Sequence, residues 1–248
     1  MSHILSLQNA GVSYHSLSGE TIALQNISFH VEEGEFLSIV GPSGCGKSTL
    51  LSIIAGLVEP EEGSITTNGC RIGYMLQRDH LFEWRTVLKN ILLGPEISHC
   101  LTLDKRILAD RLLKQYGLYP FKDKYPSELS GGMRQRAALI RTLVMEPDLL
   151  LLDEPFSALD YQTRLNVSDD IYRIIREEHK TAILVTHDLS EAISLGERIV
   201  VLTKRPGTIK DIITIDLSID NEERTPLLSR DAPEFKTYFN LLWKELNT

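Results

Sequence analysis

The sequence of 248 residues has few cysteines, no excess of positive charge and no long apolar run. Cys45, Cys70 and Cys100 are an odd number without metal-ligand spacing, which indicates free thiols in a reducing compartment. No stretch of about 18 apolar residues is present, so no segment is predicted to span a bilayer. The N-terminus lacks the charged, apolar and small-residue order of a signal peptide, which favours a cytosolic location.

The charge balance argues against a nucleic-acid partner. The formal net charge is −8, whereas nucleic-acid-binding proteins usually show a basic excess or a basic stripe. With 42% apolar and 24% charged residues, the composition is ordinary for a soluble globular protein. The length allows one large or two small domains with a substantial core.

Apolar runs alternate with helix-forming stretches along most of the chain, which predicts an α/β fold with a mostly parallel sheet. The segments "ILSLQNAGVSY" and "TIALQNISFHVEEGEF" alternate in polarity and predict an antiparallel β layer before this core. The predicted buried strands are 35–41, 148–155, 181–188 and 198–203. The predicted helices are 47–57, 132–145, 160–179 and 188–195.

Two further regions are predicted from their composition. Between Gln77 and Leu129 the chain is helical and polar, which indicates an inserted helical subdomain. After Lys204 a strand precedes a helix, where Asp231 and Glu234 have capping-box spacing. One face of that helix is predicted to pack on the core through Phe235, Phe239, Leu242 and Leu246. We therefore divide the chain into a nucleotide-binding core (1–77 and 146–203), a helical subdomain (78–145) and a C-terminal extension (204–248).

The segment "GPSGCGKST" fits the phosphate-binding pattern G-x-x-x-x-G-K-[ST] between a predicted strand and a predicted helix. Its glycines let backbone N–H groups approach phosphate oxygens, and the helix N-terminus adds partial positive charge. Lys47 would contact the β- and γ-phosphates, and Ser48 would bind Mg²⁺. The predicted nucleotide-binding residues are Gly41, Pro42, Ser43, Gly44, Cys45, Gly46, Lys47, Ser48 and Thr49.

The segment "LLLLDEP" ends a predicted strand with two carboxylates, at the sheet edge where α/β proteins bind ligands. Asp153 is expected to hold Mg²⁺. Glu154 is expected to deprotonate a water molecule aimed at the γ-phosphate. A second acid beside the metal ligand favours hydrolysis over transfer to another substrate.

A second glycine turn, "LSGGMRQR", precedes a helix but lacks the lysine of a phosphate loop. Its exposed amides at Ser130, Gly131 and Gly132 are suited to a γ-phosphate. The order "GPSGCGKST", Gln77, "LSGGMRQR", "LLLLDEP", "SALD", "THD" resembles the nucleotide-binding subunit of ABC transporters over nearly the whole chain. The resemblance implies a P-loop NTPase core and ATP hydrolysis with Mg²⁺.

The resemblance also assigns roles within one copy of the chain. Tyr14 matches the aromatic residue that stacks on adenine, and Gln77 matches the glutamine that senses Mg²⁺ and the attacking water. His187 matches the histidine that contacts the γ-phosphate, so Glu154, His187 and Gln77 form the expected catalytic set. Read alone, a histidine after an apolar strand is more often a structural cap.

For the other residues the resemblance implies a head-to-tail dimer of two copies. Each ATP would lie between the phosphate loop of one copy and Ser130, Gly131 and Gly132 of the other. Asp160, in "SALD", would couple the two sites across the dimer. The glycine turn and the paired acids would therefore serve different ATP molecules.

The segments "VLTKRPGTI" and "LFEW" resemble the importer branch for nitrate, sulfonate and taurine, which also includes importers of vitamin precursors. The resemblance implies permease subunits as partners, a solute-binding protein as an indirect partner and a peripheral location on the cytoplasmic membrane face. Many members carry a proline where this chain has Glu83. Leu81, Phe82 and Trp84 either line a groove for a permease helix or pack inside the helical subdomain. Nothing in the sequence names the solute.

Three alternatives differ in class. A soluble ABC-type ATPase of DNA repair would carry a long coiled coil between the two glycine motifs, and one of translation would carry two cassettes. A P-loop kinase would not explain "LSGGMRQR". A non-enzymatic scaffold would not need every expected catalytic position filled.

Overall fold

A computed structural model describes residues 3–16, 19–219 and 224–247. The strands are β1 (His3–Ser16), β2 (Gly19–Glu32), β3 (Phe36–Val40), β4 (Glu62–Thr66), β5 (Ile72–Met75), β6 (Leu149–Asp153), β7 (Thr181–Val185), β8 (Arg198–Leu202) and β9 (Ile209–Thr214). The helices are α1 (Lys47–Ile54), α2 (Val87–Ile91), α3 (Leu93–Ile97), α4 (Leu103–Gln115), α5 (Gly131–Leu143), α6 (Tyr161–Glu177), α7 (Leu189–Leu195), α8 (Pro226–Asp231) and α9 (Phe235–Asn247).

The central sheet has the strand order β5-β6-β7-β3-β8-β9. Its strands are parallel except for β9, which runs antiparallel to β8. Every residue of β3, β6 and β7 is buried, as expected for parallel strands covered on both faces. The predicted α/β fold is confirmed. The four predicted core strands start within one residue of β3, β6, β7 and β8, but their predicted ends lie one to three residues too late, in the loops that follow.

The first two strands form the predicted antiparallel layer. β1 pairs with β2 on one side and β4 on the other, in a sheet separate from the central one. The inner face of this layer packs on α1 and one face of the central sheet through apolar side chains such as Leu7, Ile27 and Leu51. The layer therefore lies beside the helix that follows β3.

Helices α2 to α5 fall within the predicted helical subdomain, and the division of the chain at residues 77, 145 and 203 stays a prediction. None of the helices in the described ranges combines the length and the apolar character needed to cross a bilayer.

The C-terminal helix α9 packs on the core through the predicted apolar face, but it begins later than predicted, at Phe235. Leu242 is buried against the central sheet, and Phe235, Phe239 and Leu246 pack around it. The predicted capping box is wrong, because Asp231 ends α8. Glu234 instead accepts hydrogen bonds from the backbone N–H and the hydroxyl of Ser218.

Candidate active site

The strand order of the central sheet brings the predicted site residues to one edge. Parallel strands end at the same edge of a sheet, and β5, β6, β7 and β3 are neighbours in that order. Gln77 follows β5, Glu154 follows β6, His187 follows β7 and the phosphate loop follows β3. Residues that are far apart in sequence therefore meet at the carboxyl ends of four adjacent strands, as expected for ligand sites in open α/β sheets.

The loop between β3 and α1 has a backbone that only glycine suits at its last position. Gly46 has φ of 108°, and an added Cβ would lie 2.7 Å from a Leu24 methyl carbon. No side chain caps α1, so its first amides remain available to a ligand. Beneath the loop, Cys45 is buried, and burial raises the pKa of its thiol.

Lys47 is a buried cation at the start of α1. It is 7% exposed, and its ammonium donates hydrogen bonds to the carbonyl oxygens of Gly41, at 2.7 Å, and Pro42, at 3.1 Å. No carboxylate of the described residues lies within ion-pair distance of it. A buried cation that makes no close ion pair is unfavourable, so this position suits an anionic ligand such as phosphate.

Asp153 lies at the end of β6, facing α1. The hydroxyl of Ser48 is 3.4 Å from Asp153 Oδ1, and the phenol of Tyr74 is 3.4 Å from Oδ2. Burial raises the pKa of the Asp153 carboxyl, and burial together with this carboxylate raises the pKa of Tyr74 to about 12. Tyr74 was not identified from the sequence, which predicted no strand over 72–75.

This oxygen set fits Mg²⁺, which prefers carboxylate and hydroxyl oxygens at about 2.1 Å. Two ligands at right angles on such an ion would be about 3.0 Å apart, slightly closer than the 3.4 Å between the Ser48 and Asp153 oxygens. A divalent cation would also offset the burial of the Asp153 charge. The residues present are therefore compatible with the metal.

Glu154 brings Gln77 and His187 together. One oxygen of its carboxylate, Oε2, accepts a hydrogen bond from Gln77 Nε2 at 3.2 Å and lies 3.1 Å from His187 Nδ1. Its backbone is in the left-handed region, with φ of 45°, which is uncommon for a residue with a side chain. Such backbone strain is often found at functional sites. The three predicted catalytic residues thus meet at one carboxylate oxygen, through a hydrogen bond from Gln77 and an ion-pair contact with His187.

A pocket of about 530 Å³ opens above the phosphate loop. Its lining includes Glu154 and His187 together with Arg205, from the turn between β8 and β9. The Arg205 guanidinium donates to the carbonyl oxygen of Gly44 at 3.0 and 3.2 Å. Arg205 was not assigned to the site from the sequence. The loop residues in the lining are Ser43, Gly44, Gly46, Lys47, Ser48 and Thr49.

Tyr14 lies on β1, close to this pocket but outside its lining. The residue is 48% exposed, and its hydroxyl is 3.3 Å from the hydroxyl of Thr49. His15, the next residue, has its Nε2 atom 3.3 Å from a carboxylate oxygen of Glu61. An exposed ring beside the loop is available for stacking on a base.

The second glycine turn is not part of the pocket lining. Ser130 caps α5, because its hydroxyl accepts a hydrogen bond from the Met133 amide. Added Cβ atoms at Gly131 and Gly132 would lie 2.9 Å from Leu159 Cδ2 and 2.7 Å from Val167 Cγ2. The turn therefore packs against the start of α6.

Asp160 lies at the start of that helix, where it caps α6 by accepting from the Thr163 amide. Hydrogen bonds from the side chain and the backbone of Thr163 lower the pKa of the Asp160 carboxyl. Asp160 is exposed and, like the second glycine turn, is absent from the pocket lining. The predicted residues therefore form two separate groups. One lies at the pocket by the phosphate loop, and the other consists of the second glycine turn and the start of α6.

The residues after Gln77 were predicted either to line a groove or to pack inside the helical subdomain, and the structure shows both kinds of placement. Leu81 packs in the core with the helices of the subdomain. Trp84 is 74% exposed, and its ring is 4.7 Å from that of Phe82, measured between centroids. Trp84 also borders a surface groove of about 460 Å³ whose other lining residues are Arg85, Lys89, Leu92, Glu96, Leu101 and Arg106.

A family model described as ABC transporter matches residues 24–157. The chain belongs to this ABC transporter family. It is therefore an ATP-binding ABC ATPase, as the resemblance in the sequence implied. The matched residues include the phosphate loop, the second glycine turn and the paired acids.

Relatives cover nearly the whole of this ABC ATPase. "Uncharacterized ABC transporter ATP-binding protein YtlC" of Bacillus subtilis is 49% identical over 95% of this chain and 93% of the relative. A taurine import ATP-binding protein, TauB, of Roseobacter denitrificans is 40% identical, covering 96% and 94%. An aliphatic sulfonates import ATP-binding protein, SsuB, of Bacillus licheniformis is 43% identical, covering 93% and 89%.

A solved structure also resembles this ABC ATPase. It is the dimeric post-hydrolysis state of the ATP-binding cassette MJ0796 bound to ADP and Pi. Its TM-score is 0.72 at 32% identity, covering 86% of this chain and 99% of that chain. The predicted P-loop NTPase fold and the ATPase activity are thereby confirmed.

Proposed function

We propose that this ABC ATPase is the energy-coupling subunit of an importer, in which two copies close around ATP and hydrolysis reopens them. The observation that carries the proposal is the division of the phosphate-binding residues. The phosphate loop, Glu154 and His187 line one pocket, while Ser130 and the two glycines that follow it lie outside that lining. A second copy that presents its glycine turn to this pocket would complete the site.

Within one copy, we assign binding of the phosphates to residues 41–49 and stacking of the adenine to Tyr14. Lys47 would exchange its two carbonyl partners for phosphate oxygens. Ser48 and Asp153 would hold Mg²⁺, with Gln77 near it, and the metal would supply neutralisation of the phosphate charge. The Asp153 carboxylate, already close to the Ser48 hydroxyl, supports this assignment.

Glu154 is assigned as the base that accepts a proton from the attacking water. Its partners support this role, because Gln77 and His187 both hold the same carboxylate oxygen and so fix its direction. The other oxygen, Oε1, is left to accept the proton of a water molecule. His187, which is 60% exposed at its side chain, is free to turn toward a γ-phosphate.

Across the dimer, Ser130 and Gly132 would contact the γ-phosphate bound by the partner, and Asp160 would couple the two sites. ATP would favour the closed dimer because only that state lets both surfaces contact it, which is a ligand-driven population shift. The dimeric form of the similar cassette supports this arrangement.

On the membrane side, the groove beside Trp84 would receive a cytoplasmic helix of the permease. A large exposed aromatic residue beside a groove is typical of an interaction site. The chain would then lie on the cytoplasmic face of the membrane, with a solute-binding protein as an indirect partner.

The proposed cargo is a small solute of the nitrate, sulfonate, taurine or vitamin-precursor class. The printed names of the taurine and sulfonate import relatives support this class. A soluble ABC-type ATPase is less well supported, because α2, α3 and α4 between the two glycine motifs are short helices rather than a long coiled coil.

The head-to-tail dimer is tested by mixing two inactive variants. Lys47→Ala disables the phosphate loop, and Ser130→Glu places a negative charge where the partner's γ-phosphate would lie. Each variant alone should hydrolyse almost no ATP. A mixture should recover about a quarter of the wild-type rate, because half of the dimers are mixed and each has one intact site. No recovery in a mixture that still dimerises would overturn the arrangement.

Association with a permease is tested separately. The Glu154→Gln chain, held closed by ATP, should co-purify with a polytopic membrane protein from solubilised membranes of the source cell. Trp84→Ala should reduce this recovery, while Trp243→Ala, which removes an exposed tryptophan on α9, should not. Recovery only from the soluble fraction would favour the soluble ATPase instead.

A further inference from the structure

Two imidazoles and a carboxylate meet at the beginning of the antiparallel layer, far from the nucleotide pocket. His3 Nδ1 is 3.0 Å from Glu32 Oε1, and His30 Nε2 is 3.7 Å from the same oxygen. The two imidazole ring centroids are 4.1 Å apart. One ligand atom from each of the three residues lies within 4.8 Å of the others.

The pairing of β1 and β2 creates this cluster. His3 is directly opposite Glu32 in the antiparallel register. His30 is two residues before Glu32 on the same strand, so both side chains point to the same face. The position of His3 is also held by Asn68, whose side-chain amide donates to the His3 carbonyl oxygen at 2.7 Å.

Glu32 has an oxygen that the described residues leave without a partner. Its Oε2 atom is buried and accepts no hydrogen bond from the described part of the chain. The neighbouring cation is already engaged, because Arg198 Nη1 lies 3.1 and 3.3 Å from the two carboxylate oxygens of Glu35. Among the described residues, the ion-pair contacts of the Glu32 carboxylate are those with the two imidazoles. A buried carboxylate oxygen without a partner is unfavourable.

We propose that His3, His30 and Glu32 form a binding site for Zn²⁺. Two imidazoles and one carboxylate are a ligand set that zinc uses, with a fourth position left to water. Ligands at about 2.1 Å in a tetrahedral site stand about 3.4 Å apart, between the two distances to Glu32 Oε1 seen here. The three side chains are partly exposed, so a small rotation of each brings them to the metal at little cost.

The site is separate from the nucleotide pocket. Glu32 precedes β3, whereas the phosphate loop follows the same strand, so the two lie beyond opposite ends of β3. A strand of five residues is about 16 Å long. Zn²⁺ here would not touch bound ATP, but it would join the first residue of β1 in the described chain to the last residue of β2. Binding to the folded state alone would raise the stability of the protein.

The test is a calorimetric titration of the tag-free, metal-free full-length chain with ZnCl₂. Wild type is compared with His3→Gln, His30→Gln and Glu32→Gln, which keep side-chain size. His15→Gln is the matched control, since His15 is also an exposed histidine of β1 but faces only one carboxylate, at Glu61. His187→Gln is included to identify zinc held at the nucleotide site.

We expect wild type and His15→Gln to bind one Zn²⁺ with the same affinity. The three ligand variants should bind it at least about tenfold more weakly, the minimum effect seen when even an outer partner of a metal ligand is lost. Zn²⁺ should also raise the unfolding temperature of wild type but not of His30→Gln, with both melting alike in the metal-free state. Equal affinities in wild type and His30→Gln, or binding lost only in His187→Gln, would overturn the site.

Discussion

The two glycine turns of this ABC ATPase both lead into helices, but they are equipped differently. At the phosphate loop, α1 starts without a side-chain cap, and the buried ammonium of Lys47 donates to two carbonyl oxygens and lies 4.0 Å from the Cys45 sulfur. At the second turn, Ser130 caps α5 with its own hydroxyl. The basic residue there, Arg134, already donates to Asp79 at 3.1 Å and to the carbonyl oxygen of Leu129.

Under the proposed function, this difference means that the two turns would contribute unequally to one reaction. The first turn has a cation, a hydroxyl and two nearby carboxylates, so under the proposed function it would bind the nucleotide within a single copy. The second offers amides and a hydroxyl but no cation of its own, so it is suited to recognising a phosphate that is already held. Changes at the first turn should therefore alter binding, and changes at the second should alter hydrolysis in the dimer.

The largest expected effect comes from Glu154→Gln. Loss of the base should lower ATP hydrolysis by about 10²–10⁴-fold. Lys47 and the loop remain, so ATP affinity should stay close to that of wild type and dimers should accumulate with ATP. Turnover is measured as phosphate release, dimerisation by size exclusion, and Glu59→Gln is an exposed carboxylate control. Hydrolysis at the parent rate would remove Glu154 from the role of base.

Lys47→Ala should have the next largest effect, and on binding itself. Removing a charged partner from a buried hydrogen-bonded pair costs about 2–5 kcal/mol, which is about 30-fold or more in affinity. ATP binding is measured by calorimetry on chains that show the wild-type circular dichroism spectrum. Lys236→Ala, on the exposed side of α9, serves as the control. An unchanged affinity would show that Lys47 does not contact the nucleotide.

Ser130→Ala should distinguish the roles of the two turns. It should leave ATP binding by one copy unchanged, and it should lower hydrolysis by about tenfold because the contact to the partner's phosphate is lost. It also removes a helix cap, which costs about 1 kcal/mol of stability. Thr102→Ala removes an equivalent cap, since Thr102 accepts from the Lys105 amide at 3.3 Å, as Ser130 does from Met133. Equal losses of hydrolysis in both variants would reduce Ser130 to a structural role.

The sequence alone predicted correctly those elements in which a local residue pattern reflects a physical constraint. Continuous apolar runs predicted β3, β6, β7 and β8, because only strands buried on both faces need them. The capping box at Asp231 and Glu234 was wrong because a spacing of three residues does not reveal that Ser218 competes for the Glu234 carboxylate. Local patterns thus missed partners that are distant along the chain.

The same limit explains why Arg205 and Tyr74 were missed at the site. Tyr74 meets Asp153, and Arg205 meets Gly44, 161 residues away, only after the sheet has formed. The "KRPG" segment around Arg205 was noticed for its resemblance to one importer branch, but no local pattern connects it to the phosphate loop. Only the contact between Arg205 and the Gly44 carbonyl oxygen in the folded chain connects Arg205 to the site.

The smallest expected effect belongs to Arg205→Ala. The guanidinium holds the loop through the Gly44 carbonyl oxygen and lines the pocket, but it is exposed, so its hydrogen bonds are worth about 1 kcal/mol. ATP affinity should fall a few-fold, with the rate of hydrolysis at saturating ATP close to that of wild type. Lys204→Ala removes an adjacent exposed charge and should have no effect. If both variants weakened binding equally, general positive charge rather than the contact to Gly44 would explain the change, and the first turn would be complete without Arg205.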